Sequence, residues 1–206
     1  MRVLLETERL ALRRFTVADL DNLVDLDSDP EVMRFLSGGA PTPRDVIRQD
    51  ILPAFLRAYE PFAGFGYWAA TEMASGAFLG WFCFRPPDDG DPTNAALGYR
   101  LRRAAWGRGY ATEGSRALIR KGFTELGVRR VFATTYQDNL ASRRVMEKVG
   151  MTLVRTYRLT PADLVAEGTY HVTSQDLWDG DEVEYALEKA DWQRRDIEND
   201  WTTRQH

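Results

Sequence analysis

The feature that most constrains this chain is the stretch WGRGYATEGSRALIRKGF, from Trp106 to Phe123. A strand pattern, AALGYRLR, leads into it, and Thr112–Phe123 reads as a helix. Gly107 and Gly109 therefore fall in a strand-to-helix turn. Glycine there permits positive φ and removes the Cβ atoms that would keep a ligand off the backbone. The first N–H groups of a helix have no partner within it, and the helix dipole favours negative charge beside them. Such a turn suits an anion, and it requires a sheet with a helix packed against it. A plain strand-to-helix connector is the competing reading. Two known nucleotide loops do not fit. The lysine of GxxxxGK[ST] is absent, and in a GxGxxG comparison the third glycine, Gly114, comes one residue late. The next strand also ends in Thr134–Tyr136 rather than in an acidic residue.

The rest of the pattern surrounds that unit with more sheet. Glu6–Phe15 alternates as a first strand. Thr16, with Asp19 behind it, caps a helix whose apolar face is Val17, Leu20, Leu23, Val24 and Leu26, and Pro30 ends or restarts it. EVMRFLSGG is a short helix stopped at Gly38–Gly39. Thr42 is placed to cap the next, with Pro43 at its first position and Pro53 kinking it before Tyr59. Phe65–Glu72 and Ala77–Phe84 read as a hairpin, followed by the strand Ala95–Arg102. After the glycine loop come the strand VRRVFATTY, the helix NLASRRVMEKVG, the strand MTLVRTYRL and a last strand, Glu182–Leu187. Thr160–Asp179 has no clear period. The order predicts an α/β fold of the α+β mixed type: one sheet of about seven strands with helices on its faces.

A chain of 206 residues fits a single domain, 1–206, with a core over about 5–193 and a polar tail, 194–206. The net charge of −4 argues against a general nucleic-acid binder. The lone cysteine, Cys83, excludes an intrachain disulfide and sits in an apolar run as a small buried residue. Neither a signal-peptide pattern nor an apolar run of the roughly 18–20 residues needed to cross a membrane is visible, so the expectation is a cytoplasmic protein with no membrane partner. No His, Cys and Asp cluster has metal-ligand spacing, so no metal is expected.

A second constellation, DNLASRRVMEKVGM, opens another helix. By itself it reads as capping, with Asp138 or Asn139 as the cap and Ser142 neutral in the first turn. Taken together, WGRGYATEGSRALIRKGF and NLASRRVMEKVGM resemble the GNAT N-acetyltransferase superfamily, and within it the RimJ/RimL-like branch. The loop matches [QR]-x-x-G-x-[GA], with Trp106 in first place and Gly109 and Ala111 in the small positions. The opening ETERLALRRFTVADLDNLVDLDSDPEVMRFL and the late strand DEVEYALEKADW are similar to the same branch.

The resemblance implies mostly antiparallel strands with a central parallel pair that splays. It implies acetyl-CoA as cosubstrate, with its diphosphate on the backbone of Trp106, Gly107, Arg108, Gly109, Tyr110, Ala111 and Thr112. The pantetheine arm would follow Leu97–Leu101, using strand amides near Tyr99 and Leu101, with Asn139 bonded to an arm amide. Arg102, Arg103 and Arg108 are either contacts for the 3′-phosphate or solvated charges. The missing lysine then has a reason, because the phosphate is a handle and no phosphoryl group moves.

For the chemistry, the family's frequent tyrosine acid falls on Met146, which cannot donate a proton. Ser142 is the resemblance's candidate acid, with Tyr136 second. The glutamate common before the strand glycine is Ala96 here, which leaves Glu31, Asp138, Glu184 or waters as base. Acceptor specificity is expected from Asp29–Tyr59 and Thr160–Glu184, where His171 is isolated. The partner is an amine, either a protein N-terminus or a small molecule, bound by a monomer or homodimer. An acyl-CoA-binding protein without turnover is the alternative.

Overall fold

The computed structural model describes residues 2–60, 62–87, 90–158 and 180–195. The stretch Glu6–Phe15 is not one strand. Its strand is β2 (Leu10–Arg14), and Glu6 instead ends a separate strand, β1 (Val3–Glu6), most of which precedes the expected stretch. At the break the Thr7 N–H donates to the Leu10 carbonyl at 2.8 Å, and Thr7 Oγ1 accepts the Leu10 N–H at 3.0 Å. A threonine that bonds its own local backbone competes with the ladder, and hydrophobic alternation does not reveal that competition.

Thr16 directs both its N–H and its Oγ1 to the Asp19 carboxylate, at 2.9 and 3.1 Å. α1 (Leu20–Ser28) buries Leu23 and Leu26, but Val17, expected on the same face, is exposed. α2 (Pro30–Ser37) starts on Pro30 and closes at Gly38. Thr42 does not cap the next helix. Its Oγ1 donates to Asp27 at 3.0 Å, and Pro43 takes the cap position. α3 (Arg44–Val46) and α4 (Leu52–Arg57) are joined by a π-helical turn, Ile47–Ile51, immediately before Pro53. Proline removes an N–H and crowds the carbonyl one turn back, and a widened turn absorbs both effects.

The remaining elements are β3 (Gly66–Glu72), β4 (Phe78–Arg85), β5 (Asn94–Leu101), α5 (Tyr110–Glu125), β6 (Arg130–Tyr136), α6 (Leu140–Lys148), β7 (Thr152–Tyr157) and β8 (Glu182–Glu188). Residues 189–195 are helical. Among the described residues, eight strands form one open sheet in the order β1-β2-β3-β4-β5-β6-β8-β7. That is one strand more than the sequence pattern predicts, because Val3–Glu6 forms a strand of its own ahead of the turn at Thr7 and pairs with β2. β5 and β6 are parallel and every other neighbouring pair is antiparallel. His171 and the segment Thr160–Asp179 lie outside the described residues.

Central strands carry apolar residues on both faces, which is why GWFCF does not alternate with polar residues. Phe82 and Phe84 join the core with Leu118, Phe123 and Met146 of α5 and α6. Tyr67 and Trp81 join the core with Phe15, Leu23 and Phe55 beside α1 and α4. Cys83 is half-buried against this second core rather than fully buried. α5 approaches the sheet closely because Gly114 and Gly122 face it. A Cβ at either position would collide with the Phe82 or the Phe84 ring. On the other face Arg100 of β5 pairs with Asp27 of α1 at 2.6 Å, with side chains only 5% and 0% exposed. Removing one partner of such a pair leaves a buried uncompensated charge and costs about 3–5 kcal/mol.

Candidate active site

The glycine loop begins at the end of β5. Gly107 has φ 70° and Gly109 φ 85°, the left-handed region that favours glycine, and Gly109 is the cap residue of α5. The helix starts at Tyr110, two residues ahead of the Thr112 start read from sequence. The Glu113 N–H is bonded to the Gly109 carbonyl at 3.0 Å. The N–H groups of Tyr110, Ala111 and Thr112 therefore precede the helical ladder and sit at the positive end of a 16-residue helix dipole. The Gly107 site is open, with nothing within 4 Å of where a Cβ would stand.

The turn at Thr7 braces this loop, a relation that sequence reading missed. Glu113 accepts from Thr7 Oγ1 at 2.6 Å, from the Arg9 N–H at 3.0 Å and from Arg9 Nε at 2.7 Å. Arg9 Nη1 also donates to the Arg108 carbonyl at 2.9 Å, and its guanidinium lies 4.7 Å from the Tyr110 ring centroid. Burial raises the Glu113 pKa, but the bonds from Thr7 and Arg9 outweigh it and hold the carboxyl below its ordinary value. Arg9 thus neutralises an acid that would otherwise oppose an anion at the helix start. Arg108 contacts Glu72 at 3.4 Å, and the Tyr110 hydroxyl bonds the same carboxylate. No short sequence spacing signals these contacts, since Arg9 and Glu113 are 104 residues apart.

β5 and β6 pair over only three positions, Asn94 with Arg130, Ala95 with Val131 and Ala96 with Phe132, and then part. The Arg102 N–H donates to the Leu79 carbonyl at 2.8 Å. In an antiparallel pair alternate residues turn their backbone groups to the same neighbour. Gly98 and Arg100 therefore address β4, while Leu97, Tyr99 and Leu101 present theirs to the gap. Trp106 Nε1 donates to the Leu101 carbonyl at 2.8 Å, and the Trp106 ring is half exposed at the mouth of the gap.

On the far side of the gap, Asn139 caps α6. Its Oδ1 accepts the Ser142 N–H at 3.2 Å, and its Nδ2 donates to Thr135 Oγ1 at 3.1 Å. The Tyr99 hydroxyl donates to Ser142 Oγ at 3.3 Å. Tyr136 ends β6 half-buried, opposite Glu182 of β8, and its carbonyl accepts the Asn139 N–H at 2.9 Å. Met146 is 4% exposed in the core. The gap thus brings Tyr99, Asn139 and Ser142 together.

Of the three candidate bases, Glu184 is held by Arg130 at 2.6 Å and Arg155 at 2.7 Å. Burial raises its pKa, and the two guanidiniums reverse this and leave it lowered, which makes Glu184 a weak proton acceptor. Glu31 and Asp138 are exposed. Arg102 and Arg103, expected near the 3′-phosphate, line a groove of about 250 Å³ beside α1 and α2, facing Asp25 at 3.6 Å and Asp29 at 3.3 Å. Among the described residues, no group of three or more His, Cys, Asp or Glu could hold a metal ion, and no helix is long and apolar enough to cross a membrane.

An open mixed sheet whose one parallel pair splays beside a glycine loop is the fold of the GNAT acetyltransferases. A GNAT acetyltransferase from Bacillus anthracis superposes with a TM-score of 0.73 at 22% identity, covering 92% of this chain and 99% of its own. RimL, a ribosomal-protein α-N-acetyltransferase solved with coenzyme A, superposes at 0.68 with 18% identity, covering 91% of this chain and 98% of its own. Residues 9–152 match the family described as acetyltransferase (GNAT) domain, and the chain belongs to that family. FsC-acetyl coenzyme A-N(2)-transacetylase of Aspergillus fumigatus is 32% identical over 199 residues, covering 92% of this chain and 78% of that protein. The uncharacterized protein YkkB of Bacillus subtilis is 33% identical over 155 residues, covering 75% of this chain and 88% of its own.

Proposed function

We propose that this protein is an acetyl-CoA-dependent N-acetyltransferase that acetylates a primary amine by direct attack, and that it is related to the RimJ/RimL-like branch. The observation that carries the reading is the three-pair register of β5 and β6, which opens into a gap that ends at the helix-start loop. The loop fits a diphosphate. The N–H groups of Tyr110, Ala111 and Thr112 point ahead of the helix, and the Gly107 site has no neighbour for a Cβ to meet. Trp106, Gly107, Arg108 and Gly109 complete the cradle. The gap edges of Leu97, Tyr99 and Leu101 suit an amide-bearing pantetheine arm as an added strand. Asn139 faces the same arm from α6.

Bound acetyl-CoA supplies an activated acyl group. The amine nitrogen bonds to its carbonyl carbon, and the carbon–sulfur bond breaks with the electron pair on sulfur. Strand N–H groups at Tyr99 and Leu101 stabilise the charge that gathers on the carbonyl oxygen. Ser142 supplies a proton to the leaving sulfur. Tyr136, at the end of β6, is the second candidate for that role.

A small-molecule amine is favoured over a protein N-terminus. The relative at 32% identity is named for an N(2) acceptor, whereas the likeness to the ribosomal-protein enzyme, at 18%, is one of fold. Thiol release from acetyl-CoA, followed over amino acid derivatives, polyamines and peptides, tests the reading. The expected result is turnover of at least one α-amine. Tight coenzyme A binding with no thiol release from any amine would favour an acyl-CoA-binding protein instead.

A further inference from the structure

Met146 occupies the place of the family's tyrosine acid and is buried in the core, so α6 offers no phenol to the gap. A phenol does reach Ser142, but from β5 on the opposite side. Tyr99 is fixed there. Its ring packs on Phe82 with centroids 5.8 Å apart and planes at 46°, and Phe82 in turn lies under Gly114 of α5. Burial pushes the Tyr99 hydroxyl above the ordinary value of 10, so the phenol is protonated and able to donate wherever the reaction would run.

Ser142 Oγ has one proton to give and two lone pairs. Tyr99 donates into one lone pair at 3.3 Å, and the Ser142 N–H is tied to Asn139 Oδ1 at 3.2 Å. With its backbone anchored and one lone pair occupied, Ser142 must direct its own proton elsewhere. The contact exceeds the ~2.8 Å typical of hydroxyl pairs, as catalytic hydrogen bonds often do before substrate arrives. We infer that Tyr99 is a positioning residue that aims the Ser142 proton at the departing sulfur, with its phenol supplied from β5 rather than from α6.

The inference rests on the acetyl-transfer reading above. The proton count closes without changing the tyrosine. Sulfur takes the Ser142 proton, the serine oxygen regains one from the nitrogen as it becomes an amide, and Tyr99 keeps its own.

Tyr99→Phe removes a single oxygen and retains the ring on Phe82. Steady-state kinetics on an amine that the wild type acetylates, with coenzyme A affinity by calorimetry, tests the role. The expected result is a kcat about tenfold lower with unchanged coenzyme A affinity and melting temperature, while Ser142→Ala loses about 100-fold in kcat. The double variant should be no slower than Ser142→Ala, because Tyr99 acts only through the serine. Full kcat in Tyr99→Phe, or additive losses in the double variant, overturns the inference and leaves acetyl transfer standing. Loss of the fold in Tyr99→Phe would also overturn it, by making the hydroxyl structural. A wild type that binds coenzyme A and acetylates no amine overturns the acetyl-transfer reading, and the inference with it.

Discussion

The two ends of the gap between β5 and β6 are built in different ways. The loop end is over-determined. Gly107 and Gly109 are at positive φ, a 16-residue helix begins immediately after them, and Glu113 is gripped by Thr7 and Arg9. The other end holds two hydroxyls at 3.3 Å and a capping asparagine. A rigid end suits binding, where affinity depends on groups fixed in advance. A lightly bonded end suits proton transfer, where a hydroxyl must be able to change partners. Binding and turnover should therefore separate when the two ends are perturbed one at a time.

Gly109→Trp should have the largest effect. A side chain at φ 85° is strained, and its Cβ would lie 3.3 Å from the Arg9 guanidinium. Coenzyme A affinity by calorimetry should fall by at least about 100-fold. Unchanged affinity would remove the loop from the site.

Glu184→Gln probes the wall beside the gap. The carboxyl is lowered in the folded state, so its contribution to stability is present at neutral pH and is lost as pH falls through that depressed value, below the ordinary 4.5. The substitution should cost about 2 kcal/mol at neutral pH and flatten the acid limb of the stability curve. Turnover in the retained fold should persist, since Glu184 is committed to Arg130 and Arg155. A complete loss of turnover would make it the base after all.

The smallest effect is expected from Arg9→Ala. It removes the cation that offsets Glu113, and coenzyme A affinity should weaken about threefold at low salt, less at high salt. Equal affinity at every ionic strength would reduce Arg9 to a purely structural tie.

Much of this contrast is readable in the sequence. Gly107, Gly109 and the helix after them form a contiguous signal, and Asn139 and Ser142 lie three residues apart in a cap pattern. Element types come from period and punctuation, and the splay comes from resemblance. The features that sequence does not reveal are non-local. The break at Thr7 depends on hydroxyl bonds that hydrophobic alternation does not encode. The Arg9–Glu113 brace and the Tyr99–Ser142 contact join residues far apart in sequence, and only the sheet order brings them together. Thr42 has the sequence of a cap, but the buried Asp27 claims its hydroxyl. Tyr99 is legible in sequence only as a strand amide, because the partner of its side chain lies on another element.

The most direct test of separable ends is the acetyl-CoA dissociation constant of Ser142→Ala beside that of the wild type. The two values should agree within about twofold while kcat falls about 100-fold. A dissociation constant that rises in step with the loss of kcat would contradict the account and make Ser142 part of the binding end.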